Sequence, residues 1–237
     1  MTRIVAFNWP KLVGGSAVAL AGWGVGSSTR GPYAVAGAAV AVGTTYFLVA
    51  SLTVSWWVYD RSDLHQWAWM APMLAGARNW AMVHAGFDEA GTSLPAAFGP
   101  PALVVDISSW LGRTSPSLRR ARRRHPAPAS ALVRADGGLP MGSSSSDAIL
   151  LVFAAHEVRQ RPRREFLFDE LRRVVTPSGR VVLVEHHRGW ANLAAFGPAA
   201  WHFQTRREWL RLADRSGFDV AEVKMTPFVR GFSLCPR

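Results

Sequence analysis

The sequence predicts an α/β fold: a doubly wound, mostly parallel sheet with a C-terminal antiparallel hairpin, preceded by one or two transmembrane helices. Three observations lead to this prediction. Nearly all charged residues of the 237-residue chain lie after Asp60. Beyond that point, short apolar runs alternate with segments of helical pattern, as in a parallel sheet with connecting helices. The last two apolar runs follow each other without a helical segment between them, which is typical of a hairpin.

Composition and charge restrict the class of protein. The formal net charge is +11, carried almost entirely by arginine, and it draws the chain to anionic surfaces such as lipid headgroups or nucleic acid. The single cysteine, Cys235, has no partner for an internal disulfide. Nothing in the sequence therefore calls for an oxidising compartment.

Residues 1–60 are predicted to form a membrane anchor with spans at about 12–28 and 33–58. The second stretch is uncharged and exceeds the roughly 20 residues that a spanning helix needs. Trp56, Trp57 and Tyr59 follow where headgroup-level aromatics are expected. The first stretch is shorter and rich in glycine, so it is either the first half of a helical hairpin, which we favour, or a signal-peptide-like region. Its small residues would let the two helices approach closely.

The arginines that follow the second span predict where the rest of the chain lies. By the positive-inside rule, they place the large domain on the cytoplasmic side of the cell membrane. Residues 61–78 are expected to be helical, either as a linker helix lying on the membrane or as the first core helix of the domain.

Residues 79–237 are predicted to form the doubly wound domain. Unalternating Val, Leu and Ile runs suit strands that are buried on both faces. Five such runs occur, at residues 80–84, 102–106, 131–136, 147–153 and 180–185. Residues 162–175 have the spacing of an amphipathic helix, with Leu167, Leu171 and Val174 on one face. Residues 219–229 and 231–234 are expected to form a hairpin of edge strands.

Four stretches carry a family resemblance, in the order that a doubly wound sheet requires. They are DGGLPMGSSSSDAI at 136–149, AHEV at 155–158, LRRVVTPSGR at 171–180, and Glu185-His186. Together they resemble the class I methyltransferase domain, in particular the branch of quinone-biosynthesis and related small-molecule methyltransferases. The similarity runs from about Asn79 to the C-terminus. It implies S-adenosylmethionine as the cofactor.

The resemblance also implies which residues would bind that cofactor. Asp106, at the end of the second strand, would accept hydrogen bonds from the ribose hydroxyls, and Asp136 would face the adenine amino group; helix capping is the alternative for such acids. In the first loop, His84 and Gly86 take the family's positions, but Asp88 stands where a further glycine is expected. Carboxylates there would tolerate a cationic ligand and repel a dinucleotide phosphate, or they would cap the following helix.

Residues after the fourth and fifth strands are candidates for the chemistry. His156 could orient a substrate hydroxyl or accept its proton, or it could merely bond to the backbone. Glu185, His186 and His187 are adjacent on a strand and point to opposite faces, so no metal site is expected. The aromatic stretch 190–209 could line a pocket for a lipid or quinone-like acceptor, or simply pack a cap.

Three functions are consistent with these features. The first is a membrane-anchored methyltransferase that acts on a small, lipophilic acceptor. The second is a catalytically degenerate relative that serves as a scaffold, because the glycine loop is eroded. The third is a nucleic-acid binder, suggested by Arg113, Arg119, Arg120, Arg122, Arg123 and Arg124. No base-stacking motif accompanies those arginines, so nucleic acid is not an expected partner. The oligomeric state is not encoded in any pattern that we identify.

Overall fold

The computed structural model describes residues 2–87, 90–112, 114–126, 130–133, 137–224 and 226–237. The chain divides into two compact units. The helical unit comprises Met1–Ser62 together with Trp190–Ala200, and the sheet unit comprises Asp63–Gly189 together with Trp201–Arg237. The chain therefore returns to the helical unit after it has built the parallel part of the sheet.

The helical unit is built around two long helices. They are α1 (Thr2–Ser28) and α2 (Pro32–Trp56), and α2 continues as a π-helical turn, Trp57–Arg61. Within the described residues, two helices, Ile4–Ser28 and Pro32–Arg61, are long and apolar enough to cross a membrane by length and composition. The first begins before the expected start at residue 12, because neither Pro10 nor Lys11 interrupts it.

The two long helices approach each other through small residues. A Cβ added at Gly37 would lie 2.5 Å from the backbone nitrogen of Gly26 and 2.7 Å from the carbonyl oxygen of Gly22. A Cβ added at Gly22 would lie 2.9 Å from the backbone nitrogen of Ala41. The backbones are thus in contact without side chains between them, which confirms the close approach expected from the glycine-rich sequence.

Residues 63–74 are helical in three short segments instead of one helix. Two 3₁₀ turns, Asp63–Gln66 and Ala68–Met70, precede α3 (Ala71–Leu74). Trp67 separates them with a left-handed backbone, φ 57°. Leu64, Trp67 and Met70 are almost fully buried. Their burial favours core packing over a helix that lies on the membrane.

A seven-stranded sheet forms the centre of the sheet unit. Its strands are β1 (Trp80–His84), β2 (Leu103–Asp106), β3 (Ala131–Leu132), β4 (Ser146–Val152), β5 (Val175–His186), β6 (Phe218–Lys224) and β7 (Val229–Pro236). The spatial order is β3-β2-β1-β4-β5-β7-β6, and strands β1 to β5 are parallel to one another. This order confirms the predicted doubly wound fold. The strand order reverses between β1 and β4, which is where such sheets bind ligands.

The C-terminal hairpin is antiparallel, as predicted, but only one of its strands is an edge strand. β7 pairs with β5 on one side and with β6 on the other. Its central residues, such as Phe232 and Leu234, are therefore buried. The expectation of two edge strands was wrong, because β6 forms the outer edge of the sheet and β7, which follows it in the chain, lies between β5 and β6.

Among the described residues, five further helices follow along the chain. They are α4 (Ser93–Phe98), α5 (Pro116–Arg124), α6 (Arg161–Val174), α7 (Trp190–Phe196) and α8 (Arg206–Arg215). The amphipathic pattern of α6 is confirmed, since Leu167, Leu171 and Val174 are fully buried. The Pro177-Ser178-Gly179 segment lies within β5 and does not form a separate turn, because the strand begins at Val175 directly after the helix. Pairing of β4 with β5 is irregular there, which accommodates the proline.

Candidate functional site

The carboxyl ends of β1 and β2 bring two predicted site residues together. His84 and Asp106 are register partners at the ends of their strands, and both are buried. His84 Nδ1 lies 4.0 Å from Asp106 Oδ1. Asp106 Oδ1 also accepts a hydrogen bond from the Ser108 backbone N–H at 2.7 Å. Its other oxygen, Oδ2, has no hydrogen-bond partner within the described part of the chain, so it is the atom through which Asp106 can contact a ligand.

The loop after β1 turns sharply at Gly86. Its φ is +79°, a conformation that favours glycine, and its N–H donates to His84 Nδ1 at 3.1 Å. His84 therefore shapes the loop and carries its ring proton on Nε2. Asp88, the third predicted residue of this loop, lies outside the described residues, as does Asp136 after β3. Their roles stay predictions.

Arg122 of α5 occupies the space beside the glycine loop. A Cβ added at Gly86 would lie 2.5 Å from Arg122 Nε and 2.9 Å from Ser108 Cβ. Arg122 Nη2 donates to Ser108 Oγ at 3.1 Å. The guanidinium is thus connected through Ser108 to Asp106, and it brings a positive charge to the crevice where a ligand is expected.

No individual role could be assigned to Arg122 from the sequence, because it is one of several consecutive arginines on a short helix. Ala121 is buried and Arg122 is half-buried, whereas Arg123 and Arg124 are exposed. The one sequence signal for Arg122 was its position next to Ala121, the apolar residue that marks the buried face of α5. The arginine cluster is therefore not a uniformly solvated face.

The loop between β3 and β4 is tied to α6 by a charged pair. Glu170 Oε2 accepts a hydrogen bond from the Leu139 N–H at 2.6 Å, and Arg173 donates to the carbonyl oxygens of Leu139 and Met141. Glu170 and Arg173 also bond to each other at 2.6 Å. The pKa of Glu170 lies below its usual value, mainly because of the hydrogen bond from Arg173. The Leu139 hydrogen bond also lowers this pKa, whereas burial opposes the shift. This pair fixes the loop that carries the family-like Leu-Pro motif.

His156, the predicted catalytic residue, is held by a fully buried carboxylate. It lies in a 3₁₀ turn after β4, and its Nδ1 is 2.6 Å from Glu185 Oε2 at the end of β5. Glu185 Oε1 accepts hydrogen bonds from the backbone N–H groups of Ala155 at 2.7 Å and His156 at 3.2 Å. An ionised Glu185 requires a proton on Nδ1 of the neutral imidazole, which leaves the Nε2 lone pair to accept a proton.

On sequence grounds, Glu185 is considered only as a metal ligand beside His186 and His187, and no catalytic role is assigned to this residue. Its pairing with His156 follows from the sheet, because β4 and β5 are neighbours and Val152 pairs with Val184. Side chains that follow such paired residues meet at the same edge of the sheet. Among the described residues, no group of three or more His, Cys, Asp or Glu side chains is placed to hold a metal ion.

An aromatic cluster surrounds the histidine. The His186 ring is stacked between Phe153 and Phe203, with ring centroids 4.6 Å and 4.9 Å apart. Phe203 also meets the His156 ring edge-on at 5.7 Å, and His202 lies 5.9 Å from it. Burial, and next the nearby His156, lowers the pKa of His186 to about 3. His186 is therefore neutral near pH 7, so the side of His156 that faces Phe203 and His186 is uncharged, while the carboxylates of Glu185 and Glu157 lie near its two ring nitrogens.

Comparisons with known proteins agree with this architecture. A family described as "Methyltransferase domain" matches residues 105–183, from β2 into β5. No curated protein matches the chain. Many solved structures share its fold.

Three of these structures illustrate the likeness. The protein PH0226 from Pyrococcus horikoshii OT3 has a TM-score of 0.50 at 16% identity, covering 75% of this chain and 93% of its own. The pyocyanin biosynthetic protein PhzM has a TM-score of 0.50 at 18% identity, covering 88% of this chain and 60% of its own. A SAM-dependent methyltransferase from Aquifex aeolicus has a TM-score of 0.45 at 15% identity, covering 66% and 80%. At these identities the likeness concerns the fold alone.

Proposed function

We propose that the sheet unit is a class I S-adenosylmethionine-dependent methyltransferase domain, and that the chain is a membrane-anchored methyltransferase acting on a small, lipophilic acceptor. The family match over residues 105–183 and the strand order support this proposal. The observation that carries the proposal is the buried contact between His156 Nδ1 and Glu185 Oε2 at 2.6 Å. A histidine with a purely structural role needs no buried carboxylate beside it. A histidine that acts as a general base does benefit, because the carboxylate orients the imidazole and stabilises the imidazolium that forms when it accepts a proton.

S-adenosylmethionine is the cofactor of this family, and the described residues at the ends of β1 and β2 fit it. Asp106 Oδ2 would accept from the ribose hydroxyls, the role that the sequence predicts for it. The glycine loop at Gly86 would approach the methionyl group. Arg122, which neighbours Gly86, would face the methionyl carboxylate, since a guanidinium pairs well with that group. When bound, the cofactor supplies a methyl group on an electrophilic sulfonium.

His156 would act on the methyl acceptor. Its Nε2 would accept the proton of an acceptor hydroxyl or comparable group as that atom becomes the nucleophile. Glu185 keeps the imidazole in the required tautomer and stabilises the imidazolium that forms. The Phe153 and Phe203 rings exclude water from this region, which strengthens the electrostatic interaction between His156 and Glu185.

A lipophilic acceptor is supported by the surroundings of His156 and by the helical unit. The aromatic rings and the neutral His186 favour an apolar molecule with one ionisable group over a charged one. Two helices of spanning length would hold the enzyme at the bilayer, where such molecules concentrate. The arginine-rich sheet unit would lie on the cytoplasmic side.

Cofactor binding and methyl transfer test the proposal separately. The full-length chain in nanodiscs is titrated with S-adenosylhomocysteine by calorimetry. Asp106→Ala should weaken binding roughly 10- to 100-fold, as expected for a lost charged hydrogen bond. Asp219→Ala, which removes a carboxylate that is 76% exposed, should leave it unchanged. Labelled methyl should also enter a lipid extract with the wild type and not with His156→Gln. Absence of binding heat in the wild type, or transfer unaffected by His156→Gln, contradicts the proposal.

A catalytically degenerate scaffold is the second candidate, and the guanidinium beside Gly86 favours it. If Arg122 merely fills the crevice, the wild type does not bind S-adenosylhomocysteine and Arg122→Ala does not lower its affinity. If Arg122 recognises the cofactor carboxylate, Arg122→Ala weakens binding of S-adenosylhomocysteine but not of methylthioadenosine, which lacks that carboxylate. The comparison of the two ligands therefore separates the two candidates.

A further inference from the structure

The segment between β5 and α8 departs from the sheet unit and joins the helical unit. Trp190–Ala200, which includes α7, groups with Met1–Ser62. Within that unit α7 packs against α2. The contact is close, because a Cβ added at Gly197 would lie 3.1 Å from Phe47 Cε1. We propose that Trp190–Ala200 is a re-entrant segment that dips into the bilayer beside α2 and contacts lipid acyl chains.

The composition of the segment suits a lipid environment. Residues 189–201 read GWANLAAFGPAAW and contain no charged residue. Asn192 is the one polar side chain among them, and it is fully buried. The exposed positions of the segment are apolar: Trp190, Ala194, Pro198 and Ala199. Exposure of this apolar surface to water is unfavourable, whereas lipid acyl chains would cover it.

The base of the segment has the features of a membrane interface. The Arg188 N–H donates to the Gln204 carbonyl oxygen at 2.8 Å, so the chain enters and leaves at the same place. Trp190 is 88% exposed and Trp201 is 62% exposed, one at each end. The Arg188 guanidinium lies over the Trp201 ring, 5.4 Å from its centroid. A tryptophan at each end of an apolar stretch, with an arginine beside them, is typical of the headgroup level.

The position of the contact on α2 gives the depth. Phe47 lies halfway along the helical span Pro32–Arg61. If that span crosses the bilayer, as the proposed function requires, Phe47 lies well inside a hydrocarbon core of about 30 Å. Gly197, which packs on Phe47, must then lie in hydrocarbon as well. The segment is helical from Trp190 to His202, and backbone that enters lipid is expected to be helical because its polar groups must bond within the protein.

Single cysteines in a Cys235→Ser background test this inference. The full-length chain is reconstituted into vesicles of phosphatidylcholine and phosphatidylglycerol, and each cysteine carries an environment-sensitive fluorophore. Ala194→Cys and Ala199→Cys probe the exposed side of the segment. Thr45→Cys, two residues from Phe47, reports on the α2 span. Ala221→Cys, exposed on β6, is the aqueous control.

The readouts are quenching by phosphatidylcholine with a nitroxide on its acyl chain and reaction of the unlabelled cysteine with a membrane-impermeant maleimide. We expect Ala194→Cys and Ala199→Cys to lose fluorescence as Thr45→Cys does and to resist the maleimide, while Ala221→Cys stays bright and reacts. If Thr45→Cys is quenched but both segment positions are not, the segment is covered by protein or lies in water, and the inference is overturned while the anchor stands. If Thr45→Cys is not quenched, the anchor fails and the inference fails with it.

Discussion

Replacing Glu185 with glutamine changes the hydrogen bond to the proposed base, His156, while the side chain at position 185 keeps nearly the same shape. Glu185 Oε1 accepts from two fixed backbone N–H groups, and Oε2 faces His156 Nδ1. Glutamine has one oxygen for these two positions. The backbone donors of Ala155 and His156 cannot turn away, so the amide oxygen must take the Oε1 position. The amide NH₂ group then faces His156 Nδ1.

The consequence is a change of tautomer at His156. Because the new NH₂ group is a donor, Nδ1 must become an acceptor and the ring proton must move to Nε2. Nε2 then has no lone pair with which to take a proton from the acceptor. Loss of a general base costs about 100- to 10,000-fold in kcat, with little change in KM. The free energy of unfolding should fall by only about 1–3 kcal/mol, since the backbone hydrogen bonds persist.

Heteronuclear NMR of protein labelled on the histidine ring nitrogens measures the tautomer without knowledge of the acceptor. His156→Gln identifies the signal. Glu157→Gln is the matched control, because Glu157 Oε1 lies 3.6 Å from His156 Nε2, beyond hydrogen-bond distance, and the tautomer should not change. If Glu185→Gln leaves the proton on Nδ1, or weakens binding of S-adenosylhomocysteine in parallel with kcat, the reasoning is refuted.

Three further predictions concern stability. Gly86→Ala should destabilise more than Gly76→Ala in thermal unfolding: both have φ near +80° and incur about 1–3 kcal/mol of strain, but a Cβ at Gly86 also meets the arginine guanidinium and a serine Cβ, whereas a Cβ at Gly76 has nothing within 4 Å. Equal losses would contradict the packing described. Gly37→Ala should destabilise the helical hairpin in detergent, whereas Gly43→Ala, with nothing within 4 Å, should be neutral or stabilise by about 0.5–1 kcal/mol; the reverse order would exclude the close helix contact. The free energy of unfolding should fall as pH drops from 6.5 toward 3, because His186 takes up a proton in the unfolded chain and not in the folded one. The fall is at most about 1.4 kcal/mol per pH unit. In acid titrations followed by circular dichroism, His186→Gln should remove this part of the pH dependence.

Local pattern was sufficient for much of the fold. Unalternating Val and Leu runs identified the parallel strands, because strands buried on both faces need no polar side. The long uncharged stretch identified α2 for a similar reason. The pattern failed where a choice depended on distant neighbours. Trp67 breaks residues 63–74 into short turns, and β7 pairs with β5 inside the sheet, although nothing local marks either outcome.

The candidate site divides in the same way. The sequence by itself determined that Asp106 ends a buried strand and that His156 follows another, because hydrophobic runs fix where strands stop. Only the tertiary structure decided what these residues face. It placed Glu185 against His156, Arg122 against Gly86, and the segment Trp190–Ala200 against α2. The physical reason is that burial is recorded in the local pattern of apolar residues, whereas contacts between residues far apart in the chain depend on how the strands and helices pack.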